Sequence, residues 1–162
     1  MKILEFPTYL ATRRNHALEH ATLHMLARKY ADKNLAGHSN PSGFFLFGDM
    51  STDDIRNAVD EAMRRLRAGE RELAIHPGCG TNLATSMVLP MTLASVPFQG
   101  TRSNRRFVML PVALMFAVFG YVLSKPLGPW LQRNVTTEAD LGNLQVQEII
   151  PVRQGVHRII TK

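Results

Sequence analysis

The sequence predicts an α+β fold: a small mixed domain of helix, hairpin, helix and C-terminal hairpin, interrupted by a two-helix transmembrane hairpin. Three observations predict it. Two helix-period segments, about 8–31 and 52–68, flank a pair of short β-type segments joined by turn chemistry. Two stretches without a charge follow, 16 residues from Leu83 to Phe98 and 18 from Phe107 to Ser124. The chain then turns polar and closes on two more β-type segments. The organisation expected is an N-terminal α+β region at 1–80, a membrane hairpin at 81–126 with spans about 83–99 and 107–124, and a C-terminal tail at 127–162 whose β-hairpin packs on the N-terminal region.

The first helix spans about Thr8 to Ala31. Leu18, Ala21 and Met25 fall on one stripe with Leu26 at its edge, while His16, His20, Leu23 and Ala27 fall on the opposite side, flanked by Glu19 and His24. Leu35 to His38 and Phe44 to Phe47 read as strands around Asn40-Pro41-Ser42-Gly43, a turn with Pro early and Gly late. Ser51 followed by Asp54 opens a second helix in the manner of a capping box, with Asp in place of Glu, and Gly69 stops it. Ile55, Val59, Ala62, Met63 and Leu66 line its apolar side. Leu73 to Ile75 reads as a further strand, delivering His76 and Cys79 to its end.

Crossing a hydrocarbon core takes roughly 20 residues, with about 17 as the short limit. Phe107 to Ser124 meets that length; Leu83 to Phe98, with Pro90 at its centre, reads as a kinked or tilted partner. Gln99 to Arg106 is a loop short enough for a helical hairpin. Leu144 to Val152 and Val156 to Thr161 read as strands around Arg153-Gln154-Gly155.

Charge narrows the function classes. The net charge is +6, but no Lys/Arg run carries interleaved aromatics, which argues against nucleic acid as a partner. Basic residues that flank membrane segments explain the excess. Three arginines lie in the connecting loop, and six basic residues lie on the outer flanks: Arg64, Arg65, Arg67, Arg71, Lys125 and Arg133. That balance places the globular part in the cytoplasm. Residues Met1 to Arg14 hold no apolar core of signal-peptide length, so the internal spans are expected to bring the chain to the bilayer. One cysteine excludes an intramolecular disulfide.

Two motifs carry the chemistry. His16-Ala17-Leu18-Glu19-His20 sets two imidazoles at i and i+4 of a helix, where both can grip one ion. The spacing H-x-x-E-H is that of the inverted zincin arrangement, in which the histidines bind zinc and the glutamate is the general base. The second motif, His76-Pro77-Gly78-Cys79-Gly80-Thr81, follows 56 residues after His20. His16, His20, His76 and Cys79 are therefore the candidate metal ligands, and Glu19 is the candidate base. The expected cofactor is a divalent metal, zinc by its preference for imidazole and thiolate. His24 is expected to support the ligands from outside the coordination sphere. His38 and His157 carry no motif and read as structural.

The two motifs, in this order and followed by apolar stretches, resemble the YqhQ-like family of bacterial integral membrane proteins, described as metal-dependent without an established reaction. Its pattern runs H-G-A-E-H-K, then H-P-R-C-G-T, then hydrophobic spans. The matching positions are His16, Glu19, His20, His76, Cys79, Gly80 and Thr81. Ala17 and Leu18 stand where that family has Gly-Ala, Ala21 where it has Lys, and Gly78 where it has Arg. The resemblance implies a metal site beside a membrane. The loss of two basic positions weakens any case for a shared anionic substrate.

The reading that follows is a membrane-anchored metal-binding protein acting as a zinc-dependent hydrolase, with a peptide or lipid-derived substrate. The alternative is a non-catalytic membrane adaptor or assembly factor, because four protein ligands would close a tetrahedral site. A third is a thiol enzyme with Cys79 as nucleophile. The partners expected are the lipid bilayer and a protein or substrate of unassigned identity.

Overall fold

A computed structural model of the chain describes residues 3–102 and 105–162. It forms two units, Met1–His76 with Arg133–Lys162, and Pro77–Gln132.

The first unit is built around helix α1 (Pro7–Lys29). Pro7 begins the helix, where its fixed φ suits the first turn and its missing N–H is no loss. Arg28 and Lys29 sit in the last turn, where cations favour the helix dipole. The expected stripe packs into the core through Leu18, Ala21 and Leu26, with Met25 against it, but the opposite side is buried as well. Asn15, Ala17, Leu18, Glu19, His20, Ala21, Thr22 and Leu23 are all buried, so the helix is enclosed on every side through its middle. Polar residues survive there because each finds a partner. Asn15 Nδ2 donates to the carbonyls of Asn40 and Pro41, and its Oδ1 accepts from Thr161 Oγ1 at 2.7 Å.

Strands β1 (Ala36–Asn40) and β2 (Gly43–Phe47) form the expected hairpin. Asn40 Oδ1 accepts from the Ser42 amide across the turn at 3.0 Å. Gly43 has φ +131, and a β-carbon there would strike the Ile159 carbonyl, so only glycine fits. Helix α2 (Thr52–Arg67) is capped by Ser51, whose Oγ accepts from the Asp54 amide at 3.1 Å. Gly69, at φ +95, ends the helix segment in the left-handed region. The following residues do not make the expected strand. Arg71–Ala74 is a short 3-10 turn, with Leu73 N–H bonded to Glu70 and Ile75 N–H bonded to Glu72. These i to i+3 bonds keep the segment out of any sheet.

Strands β3 (Val146–Arg153) and β4 (Val156–Thr161) form a second hairpin, and β4 pairs antiparallel with β2. The sheet order is β1-β2-β4-β3. Alternation sends Phe44, Leu46 and Ile159 into the core with Leu18, Leu26, Ile55 and Val59, all fully or nearly fully buried. Each such side chain is worth about 1.5–3 kcal/mol of burial. Helices α1 and α2 lie on that face.

The second unit is a helical hairpin of α3 (Gly80–Ser95) and α4 (Arg106–Leu131). Small residues let the helices approach: a β-carbon on Gly120 would come within 2.8 Å of Pro90 Cα, and one on Gly128 would overlap the Asn82 side chain. The two contacts run in opposite order along the two helices, so the pair is antiparallel. The expectation of two membrane spans is corrected here. Among the described residues only the helix Arg106–Thr136 is long and apolar enough to cross a membrane. The 16 residues of α3 rise about 24 Å. That is short of a hydrocarbon core of about 30 Å. The loop expected at Gln99–Arg106 includes residues 103 and 104, which lie outside the described residues.

Candidate metal centre

Helix α1 carries three histidines at successive four-residue steps, so His16, His20 and His24 rise along one side of it. The turn Arg71–Ala74 then brings His76 against them. The rings form a continuous chain: His16 to His20 at 4.3 Å between centroids, His20 to His76 at 5.7 Å, and His76 to His24 at 4.9 Å. A ligand nitrogen of His16 and one of His20 lie within 4.8 Å of each other.

Backbone carbonyls fix three of these rings. His16 Nδ1 bonds the Thr136 carbonyl at 2.9 Å, His20 Nδ1 the Ala74 carbonyl at 2.7 Å, and His24 Nε2 the Ile75 carbonyl at 2.8 Å. A carbonyl only accepts, so each of those nitrogens carries the proton. In the neutral ring the lone pair then belongs to Nε2 of His16, Nε2 of His20 and Nδ1 of His24. A carbonyl that holds the far nitrogen of an imidazole is the usual support of a metal-ligating histidine. His76 is pushed down to about 4, first by burial and then by the charges of His24 and His20. It is therefore a neutral imidazole at physiological pH, the form that binds metal. The donor chemistry fits a divalent cation of the zinc type.

Glu19 is buried and faces the sheet. Its carboxylate accepts a hydrogen bond from Ser39 Oγ, and it covers Gly37 so closely that a β-carbon there would overlap it. Burial pushes the Glu19 carboxyl above its usual range, while the Ser39 hydrogen bond and the charges of His16 and His38 pull it back in part. The spacing of the motif carried no sign of Gly37 or Ser39. Nor could it show the Ala74, Ile75 and Thr136 carbonyls, because backbone groups leave no mark in a sequence.

Cys79 belongs to the second unit, as the N-cap of α3, where its Sγ accepts from the Thr81 amide at 3.5 Å. His38 is exposed on β1. His157 is buried on β4, with Nε2 3.1 Å from Thr52 Oγ1.

The family model for a domain of unknown function, DUF6391, matches residues 11–149. The chain belongs to this family. An uncharacterized protein of a Picosynechococcus strain is 34% identical to it, over 86% of this chain and 72% of that protein. No solved structure matches the chain. The matched residues of the DUF6391 chain include His16, Glu19, His20, His24, His76 and Cys79, so the whole candidate centre lies inside the family domain.

Proposed function

We propose that this DUF6391 protein is a membrane-associated metal-binding protein and that its centre is a zinc-dependent hydrolytic site. The observation that carries the proposal is the set of imidazoles on α1, each held by a backbone carbonyl, with the neutral ring of His76 set among them. His16, His20 and His76 would hold the cation. The fourth position would be left to water in the hydrolytic reading; Cys79, three residues beyond His76, would close the site only in the adaptor reading. A bound zinc ion would supply Lewis acidity and make a water acidic near neutral pH. Glu19 would take the proton as general base, a task that its raised carboxyl pKa suits. His24 would act by positioning: its bond to the Ile75 carbonyl fixes the backbone that bears His76. The motif resemblance to YqhQ-like proteins supports the same reading.

Membrane association is supported by α4, with the globular unit on the cytoplasmic side by the balance of basic residues. Apolar side chains stand exposed along α4, among them Phe107, Leu114, Met115, Phe119 and Val122.

A second reading is a non-catalytic adaptor with a structural metal. The Ser39 hydrogen bond to Glu19 favours it, because a carboxylate held against β1 is a structural tie between helix and sheet. Metal content and coordination of the wild type and of Glu19→Gln decide between them. The hydrolytic reading expects both proteins to bind one equivalent of zinc with an exchangeable water in the coordination sphere. A water-free site of four protein ligands would leave only the adaptor. Absence of metal binding at micromolar zinc would end both.

A further inference from the structure

The hairpin unit holds a second feature, whose lining shares with the candidate ligands Cys79 alone. A cavity of about 470 Å³ opens between the N-terminal half of α3 and the C-terminal half of α4. Cys79, Asn82, Leu83 and Ser86 line it from one side, and Ser124 and Lys125 from the other. Both serine hydroxyls are turned to helix carbonyls, Ser86 to Leu83 at 2.9 Å and Ser124 to Tyr121 at 2.6 Å. Lys125 is the single charged side chain in the lining, and its ammonium lies 4.4 Å from the Tyr121 ring centroid. The unit Pro77–Gln132 contains no Asp or Glu, so nothing within it neutralises this cation.

Depth and shape narrow the ligand. Arg106 and Lys125 bracket an uncharged run of 18 residues, which rises about 27 Å along the helix. That matches the hydrocarbon thickness closely enough to set both cations at headgroup level, on opposite sides. From the cavity, Leu83, Met87 and Met91 continue at four-residue steps along α3, all exposed. An ammonium at headgroup depth with an apolar track leading away from it fits an amphiphile with an anionic head and an acyl tail.

We infer that this cavity is a binding site for one anionic phospholipid, its phosphate held by Lys125 and its acyl chain laid along Leu83, Met87 and Met91. The inference rests on the membrane reading of α4. Alkaline carbonate extraction of the full chain tests that reading by itself: release into the soluble fraction would remove it.

The cavity is tested separately, without a bilayer. Full-length protein in neutral detergent is titrated with short-chain phosphatidylglycerol, short-chain phosphatidylcholine and inorganic phosphate, and adducts are counted by native mass spectrometry. Phosphatidylglycerol is expected to be retained as one adduct, about fivefold better than phosphatidylcholine, the preference one basic side chain confers near an anionic surface. Inorganic phosphate alone should leave no adduct. Lys125→Gln should bring the two lipids to equal retention, while Arg56→Gln on α2 leaves the preference intact. Ser86→Leu fills the cavity and should lower retention of both lipids with the circular dichroism spectrum unchanged. Equal retention by the wild type, phosphate binding as strong as that of the lipid, or a preference that survives in Lys125→Gln overturns the inference.

Discussion

Glu19 lies directly over Gly37, so that the carboxylate occupies the space a β-carbon at residue 37 would need. A helix residue and a strand residue thus share one volume, and the glycine sets how closely α1 approaches β1. Gly37→Ala forces the Glu19 side chain or the helix to move. A loss of about 1–3 kcal/mol is expected, as for other small-to-large changes in packed interiors. Urea denaturation measures it, and Glu19→Ala in the same background should recover part of the loss. An unchanged midpoint in Gly37→Ala would contradict the close contact.

Metal removal gives the second prediction. A cation that binds only the folded chain stabilises it by about 2.7 kcal/mol at a hundredfold excess over its dissociation constant. Zinc should therefore raise the melting temperature, and a chelator should reverse the rise. His20→Ala should abolish the shift, since it removes both a donor and the bond to the Ala74 carbonyl. His38→Ala should retain it, because that ring is exposed on β1 and is not among the residues proposed to hold the cation. A zinc shift that persists in His20→Ala would place the metal elsewhere.

Asn15 ties three segments together through the Asn40 and Pro41 carbonyls and the Thr161 hydroxyl. Asn15→Leu keeps much of the volume and strands those buried partners. The expected cost is about 1–3 kcal/mol per group left unsatisfied. Thermal unfolding of Asn15→Leu checks this, and a cost near zero would show that water replaces the amide.

Acid sensitivity follows from Asp54. Hydrogen bonds from Lys29 and Tyr30, with Ser51 adding to them, hold its carboxyl down to about 2. The unfolded value is about 3.9, so the folded state binds its proton later than the unfolded state does. The stabilisation is complete above about pH 4 and is lost as pH falls toward about 2. Asp54→Asn should flatten that part of the stability profile and leave the profile above pH 5 parallel to the wild type. Identical acid slopes for the two proteins would contradict the assignment.

The hairpin depends on Gly120 against Pro90. Gly120→Leu inserts a side chain where even a β-carbon falls within 2.8 Å of Pro90 Cα, so α3 and α4 must separate. A lower melting temperature in detergent is expected. Val118→Leu, at an exposed position of the same helix, should leave it unchanged.

Local chemistry made much of the chain readable. Pro7 at a helix start, Ser51 as a cap and Asn40-Pro41-Ser42-Gly43 as a turn act over a few residues, and each element formed within a few positions of its expected limits. Failures came where partners distant in sequence decide. Leu73 to Ile75 has strand composition, yet it forms the 3-10 turn whose Ala74 carbonyl, with that of Ile75 just beyond it, accepts from His20 and His24. Burial of the second side of α1 left no mark in its periodicity, because it depends on elements distant in sequence that pack against the helix.

The sequence by itself determined which side chains could serve a metal: spacing alone sets His16, Glu19 and His20 on adjoining faces of one helix, because helical rise and turn are fixed by the backbone. Tertiary structure alone decided what those side chains do in the folded chain. It turned Glu19 to Ser39 and Gly37, gave His16, His20 and His24 their carbonyls, and set His76 among the rings. The reason is physical: a spacing fixes direction along one element, whereas a hydrogen-bond partner is supplied by whichever distant backbone packs against it.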